Sequence, residues 1–299
     1  MLKVEHVTKY YDDFKAVSDL SFEVKEGEIF GLLGVNGAGK TTTFRMIMGL
    51  LDKTEGNITL NGKQIDYSIS DEIGFLTEER SLLPSKTVLE QAMFYGVLKG
   101  LNESEVEKRL DKYLEEFNIS SYKNKKIKEL SKGNQQKIQF IISIIHEPKL
   151  LILDEPFSGL DPINVEMFKK EILRLKKKGT MIIFSSHMME HIEYFCDSLI
   201  ILVKGRTVLE GKLTKIKKDF RKKNVKVKAN LNEEEILKLK GVEALERNKD
   251  EYTIRIEDES YISTLFKEVS KYDNVTKFVV EEPSLNEIFV SKVGEEYEK

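Results

Sequence analysis

Gly34-Val35-Asn36-Gly37-Ala38-Gly39-Lys40-Thr41-Thr42 satisfies the pattern G-x-x-x-x-G-K-[ST] in the context that pattern requires. Glu28 to Leu33 reads as a buried strand feeding this loop, and Thr42 to Met48 has helical apolar spacing that ends near Gly49. Glycines at 34, 37 and 39 let the backbone turn sharply and approach an anion closely. Successive N–H groups and the positive end of the following helix then converge on phosphates. Lys40 adds a point charge that suits β- and γ-phosphates, and the Thr41 hydroxyl is placed to ligate Mg²⁺. The stretch predicts binding of a nucleoside triphosphate, with Asn36, Ala38 and Thr42 completing the contacting positions.

Downstream, Leu150-Leu151-Ile152-Leu153-Asp154-Glu155 is an apolar strand ending in two carboxylates. Such a strand delivers Asp154 beside the magnesium ion, which it can hold directly or through water. Glu155 then faces the γ-phosphate, where a carboxylate can orient and partly deprotonate an attacking water. Met181 to Phe184 and Leu199 to Val203 are further apolar strand candidates separated by helical stretches, a pattern that indicates a parallel sheet covered by helices.

The chain opens differently. Residues 2–8, 20–25 and 57–61 are short alternating runs with turn signals at Gly27, Gly56 and Asn61-Gly62. From Val88 to Leu114 apolar residues fall on helical spacing, with Asn102 as an N-cap candidate and Glu105 behind it, and a helix continues over Ile138 to Ile145. Composition shifts at Gly211: residues 212–228 hold nine basic side chains, from Lys212 to Lys228, opposed only by Asp219, which reads as a solvated linker or a contact for anionic partners. Beyond it, strands over 225–229, 242–245, 252–256 and 275–280 and helices near 233–240 and 259–272 give the order β-α-β-β-α-β of a small ferredoxin-like unit.

At 299 residues the chain is long for one core, which favours two domains. Forty-eight basic against 51 acidic residues give a net charge of −3, so no global field attracts nucleic acid, and none is expected as a partner. A single cysteine, Cys196, excludes an internal disulfide and a thiolate zinc cluster and fits a reducing compartment. The longest apolar runs fall far short of the roughly 18–20 residues that span a bilayer. Met1 to Glu5 reads as an amphipathic strand rather than a secretory signal.

Between the phosphate loop and the acidic strand lies Leu130-Ser131-Lys132-Gly133-Asn134-Gln135-Gln136-Lys137, a small-residue turn opening a helix. In this order it resembles the signature sequence of ATP-binding cassette (ABC) ATPases. Ser158-Gly159-Leu160-Asp161 is similar to their D-loop, His187 after Ser185-Ser186 to their switch histidine, and Tyr11 stands where the family stacks a ring on adenine. The resemblance covers roughly residues 1–210. It implies an α/β P-loop NTPase cassette over residues 1–211 with a helical subdomain at about 88–145. A basic linker at 212–223 and a small α+β accessory domain at 224–299 then follow.

The same resemblance implies ATP and Mg²⁺ as cofactors, Lys40, Glu155 and His187 as catalytic residues, and Thr41, Glu78 and Asp154 as metal ligands. It also implies head-to-tail pairing with a second cassette, a copy or a related chain, in which Ser131 and Gly133 contact the γ-phosphate bound by the partner. Three departures stand out. Val35 replaces the commonest proline, the signature reads Ser-Lys-Gly-Asn, and Ile73-Gly74-Phe75-Leu76-Thr77-Glu78-Glu79-Arg80 puts Glu78 where the family has glutamine. A carboxylate there can still ligate Mg²⁺ but donates no amide hydrogen bond.

The expected role is the ATP-hydrolysing subunit of a transporter whose permease is a separate chain, held at the cytoplasmic face of the membrane, with the Leu82 to Gly96 region docking a permease helix. The C-terminal unit, ending Glu281 to Phe289, resembles the extra domain of a bacterial subfamily that includes sodium-extrusion and drug-export ATPases, which favours export. A soluble ABC ATPase serving translation, repair or cofactor assembly is the second reading.

Overall fold

Alternating apolar residues at the start of the chain form β1 (Leu2–Tyr11) and β2 (Phe14–Val24), an antiparallel pair that turns at Asp12 and sets Tyr11 opposite Phe14. Then follow β3 (Ile29–Gly34), buried at every position, and α1 (Lys40–Ile47). Next come β4 (Glu55–Leu60) and β5 (Lys63–Gln64), joined by Asn61-Gly62, both at positive φ, as a two-residue hairpin demands. These first strands make a sheet in the order β2-β1-β4-β5. The computed structural model describes residues 1–79 and 81–297, so Arg80 of the Glu78-Glu79-Arg80 variant lies outside the described residues. The chain divides into two units, residues 1–210 and Gly211 onward.

The first unit continues with β6 (Ile73–Leu76), α2 (Val88–Leu98), α3 (Glu103–Glu116) and α4 (Lys132–Ile144). It is completed by β7 (Leu150–Asp154), α5 (Pro162–Lys177), β8 (Met181–Ser185), α6 (Met189–Phe195), β9 (Ser198–Val203) and most of β10 (Arg206–Lys212), whose last two residues begin the second unit. The main sheet runs β10-β9-β3-β8-β7-β6, and the pairs from β9 through to β6 are all parallel. Gly34, Asp154 and Ser185 therefore end neighbouring strands at one sheet edge, the edge where open parallel sheets bind ligands.

The three helices of the 88–145 region carry the caps their sequences announce. Thr87 and Glu90 form a reciprocal capping box at α2, and Asn102 accepts from Glu105 N at α3. An aromatic cluster joins the end of α3 and α4 to α5: Phe168 of α5 stacks on Phe140 of α4 at 4.4 Å and meets Phe117, the C-cap of α3, edge-on at 5.5 Å. Such ring pairs add about 0.5–1.5 kcal/mol each beyond area burial.

The second unit contains α7 (Leu213–Asp219), β11 (Lys223–Lys228), α8 (Glu233–Leu237), β12 (Val242–Asn248), β13 (Glu251–Ile256), α9 (Ile262–Val269), β14 (Lys277–Glu281) and α10 (Leu285–Tyr297). Its sheet, β12-β13-β11-β14, is antiparallel throughout, the ferredoxin-like order. Val225, Val227, Ile254 and Ile256 face α8 and α9, and on Glu287 of α10 converge Asn224, Arg255 and Ser284.

Residues 212–223, read from charge as a linker, are more structured than that. Leu213 and Ile216 are buried anchors of α7, and Lys223 is 4% exposed, its Nζ donating to Lys218 O and Phe220 O at the end of that helix. Lys222 and Lys226 pair with Glu243 and Glu281, acids distant in sequence, so local charge counting overstated the free basic surface.

Candidate functional site

The phosphate loop takes its shape from close packing beneath it. Gly39, the N-cap of α1, sits at φ 101, and a Cβ there would lie 2.7 Å from Ala16 O. Among the described residues no side chain caps α1, so its first N–H groups are left to an anion. Lys40 Nζ donates to Gly34 O at 2.6 Å and to Val35 O at 3.3 Å, which holds the ammonium across the loop mouth. Burial pulls its pKa down, against the opposing pull of Asp154, Glu155 and Glu78.

A cleft of about 470 Å³ opens over this loop. It is lined by Asn36 through Thr42, by Tyr11, Phe14 and Ala16 from the first sheet, and by Glu78, Asp154 and His187. Tyr11 therefore reaches the cleft, whereas Tyr10 packs under Lys15 Nζ, 4.9 Å from its ring. Phe14 was missed by sequence reasoning. It enters through its pairing with Tyr11, a register set by the Asp12 turn.

Asp154 is 8% exposed. Burial, reinforced by the nearby negative charge of Glu78, pushes its pKa up to about 6, while Ser185 and Lys40 pull the other way. Glu155 follows at φ 48, the left-handed region that is strained for a side chain of this size. Its carboxylate accepts from His187 N at 2.6 Å and from Ser186 Oγ at 3.3 Å, with His187 Nε2 3.8 Å away. Burial raises the Glu155 pKa, with His187 and Ser186 opposing.

The oxygen donors Thr41, Glu78 and Asp154 suit a hard divalent cation, and the crowding of Glu78 and Asp154 is the electrostatic situation such a cation relieves. Among the described residues no group of three His, Cys, Asp or Glu side chains makes a protein-only metal cage. A cation at this edge would accordingly take further oxygens from phosphates and water, as Mg²⁺ does.

Ser131 and Gly133 are not among the residues that line this cleft. Ser131 is exposed and N-caps α4, its Oγ accepting from Asn134 N at 3.4 Å. A Cβ on Gly133 would meet Gly159 O at 3.7 Å, so the turn stands beside the loop 158–161, whose Asp161 caps α5. His6 pairs with Asp19, His146 with Ile73 O, and His191 packs on the Phe157 ring, all away from the cleft.

Known proteins are similar to this chain in sequence and in fold. Residues 17–158 match the ABC transporter family, and residues 211–293 match the C-terminal domain of DrrA1-3-like ATP-binding proteins. The chain is 49% identical over 298 residues to an uncharacterized ABC transporter ATP-binding protein, YhaQ of Bacillus subtilis, covering 100% of both. It is 37% identical to the linearmycin resistance ATP-binding protein LnrL of Bacillus subtilis, over 72% of this chain and 70% of that one. A solved dimeric bacterial ABC transporter cassette superposes with a TM-score of 0.66 at 26% identity, over 71% of this chain and 99% of that chain.

Proposed function

The chain belongs to the ATP-binding subunits of ABC transporters, which bind and hydrolyse ATP to drive transport, and from that premise we propose a division of labour among its residues. The backbone of residues 34–42 and Lys40 hold the triphosphate. Tyr11 supports the adenine. Thr41, Asp154 and Glu78 hold Mg²⁺, which supplies charge neutralisation at the β- and γ-phosphates when bound. Glu155 takes a proton from the attacking water, and His187 bridges that water and the γ-phosphate. The observation that carries this reading is the convergence of Lys40, Asp154, Glu155 and His187 at the ends of β3, β7 and β8.

The absence of Ser131 and Gly133 from the cleft supports a composite site. Each signature serves the γ-phosphate of a second cassette, a copy or a related chain, and the dimeric solved relative supports that arrangement. No helix among the described residues is long and apolar enough to cross a membrane, which supports a separately encoded permease and a peripheral position at the cytoplasmic face of the membrane. A groove of about 380 Å³ lined by Leu50, Phe75, Leu82, Tyr95 and Leu98, flanked by exposed Leu83, Phe94 and Val97, suits docking of a short permease helix. Residues 1–211 form the cassette with its helical subdomain at 88–145, and the unit at 224–299 is an accessory domain joined through residues 212–223. The linearmycin-resistance relative supports export as the direction of transport.

Detergent extraction of membranes carrying the tagged chain tests the assignment. Recovery with a multi-spanning protein is the expected outcome. Recovery only as a cytosolic protein with ribosomes or nucleic acid would overturn it.

A further inference from the structure

Helix α4 carries a polar side chain on its buried face. Gln139 is 3% exposed among Ile138, Phe140 and Ile141, all fully buried. Its Nε2 donates to Thr77 O at 3.1 Å, Thr77 Oγ1 at 2.8 Å and Glu79 O at 3.2 Å, and the Thr77 hydroxyl itself donates to Glu79 O. These acceptors belong to the residues on either side of Glu78. Two N–H groups serve three acceptors, while the Gln139 Oε1 is buried with no partner among the described residues. A flipped amide would set that oxygen against two carbonyls, so the network fixes the orientation. An unpaired buried acceptor is costly, and an apolar side chain of this size would fill the position without it. Packing alone does not account for a glutamine here.

Its bonds do account for it. Glu78 stands two residues past the end of β6, and β6 pairs in parallel with β7, Leu76 opposite Leu153, so Glu78 and Asp154 emerge from adjacent strands. The Glu78 side chain is exposed and lines the cleft, and its direction is set by the backbone of residues 77–79. We propose that Gln139 is a positioning residue for Glu78, tying the chain on both sides of it to α4 so that the carboxylate faces the metal position beside Asp154. The inference rests on the reading of Glu78 as a metal ligand. It also fixes the metal-side loop to the same helix that Ser131 opens.

The test is binding of a fluorescent, non-hydrolysable ATP analogue to the purified full chain as Mg²⁺ is titrated, in the parent, Gln139→Met, Glu78→Ala and the double variant. Gln139→Met is expected to raise the Mg²⁺ concentration for half-saturation roughly tenfold, the effect typical of removing a partner that orients a metal ligand. In the Glu78→Ala background it should add nothing, because it acts only through Glu78. A parent-like Gln139→Met beside a shifted Glu78→Ala overturns the inference alone. A shift that persists undiminished in the Glu78→Ala background overturns it too, since a general structural role would behave so. A parent-like Glu78→Ala removes the metal-ligand reading and the inference together. Should Gln139→Met not fold, Thr77→Val removes one of the three acceptors, and an unchanged Mg²⁺ dependence in that variant is the overturning result.

Discussion

The backbone N–H of His187 donates to Glu155 Oε1 at 2.6 Å, which ties the residue after the acidic strand to the segment that follows β8. Ser186 Oγ donates to the other oxygen, so the carboxylate is fixed at both oxygens beside His187 and Asp154, which line the cleft. The arrangement exists because β7 and β8 are parallel neighbours with Asp154 opposite Ser185. Burial raises the Glu155 pKa, and a carboxylate so raised is a stronger base than an exposed one.

Glu155→Gln keeps an oxygen to accept from His187 N, and its amide NH₂ can donate to the Ser186 hydroxyl, but it accepts no proton. Hydrolysis should fall by about 10²–10⁴-fold while nucleotide affinity stays near the parent value. Steady-state phosphate release and equilibrium binding measure the two separately. Equal hydrolysis rates would remove Glu155 as the base.

Two glycines of the phosphate loop should respond differently to alanine. At Gly37, φ is 77 and an added Cβ meets nothing within 4 Å, so only backbone strain of about 1–2 kcal/mol is expected, with nucleotide affinity reduced because the methyl group stands at the cleft. At Gly39, φ is 101 and the Cβ would lie 2.7 Å from Ala16 O and 3.2 Å from Val17 Cγ2. Contact with backbone cannot relax cheaply, and the loss should be about 3 kcal/mol. Urea midpoints that rank the two variants equally would contradict this.

His146 makes stability depend on pH. Burial, with Lys99 and Arg109 nearby, pulls its pKa down to about 4, against Ile73 O and Asp71. Between about pH 6.5 and 4 the unfolded chain takes up a proton that the folded chain refuses, so this contribution is full above 6.5 and is lost as pH falls through that window. The loss is on the order of 2–3 kcal/mol. His146→Gln, which does not titrate, should flatten the corresponding part of the melting-temperature profile, and an unflattened profile would assign the acid sensitivity elsewhere.

Much of the site could be read before the fold because its chemistry is contiguous in sequence. Residues 34–42 and 150–155 each carry strand, turn and reactive groups in one segment, and local rules suffice for them. Phe14 and Gln139 were illegible for a shared reason. Their roles arise from a strand register and from the seating of α4 against the residues after β6, and neither leaves a local signal. Gln139 interrupts an apolar run and reads there as a helix surface position. Helix α7 was hidden by charge, since only Leu213 and Ile216 mark its buried side among lysines. The strand β10 and the helix α10 had no strong periodic pattern to announce them, since α10 is held at its start by buried Leu285 and Ile288 together with polar bonds through Glu287.

If each ATP site joins the Lys40 of one chain to the Ser131 of another, defects in the two residues should complement. A Lys40→Ala chain loses the phosphate contact in its own loop. A Ser131→Arg chain loses only what it offers its partner; Ser131 is exposed, and its cap contributes roughly 0.5–2 kcal/mol, so the fold should survive. Each variant alone has no intact site. In an equal mixture that exchanges freely, half of the dimers are mixed, and each mixed dimer holds one intact and one doubly defective site. About a quarter of parent ATPase activity should return. A monomeric site predicts no recovery at any ratio, because the two defects then have nothing to share. Absence of recovery in a mixture whose chains are seen to exchange would therefore remove the composite site, while recovery at the expected level would place Ser131 at the partner's phosphate without relying on the family's example.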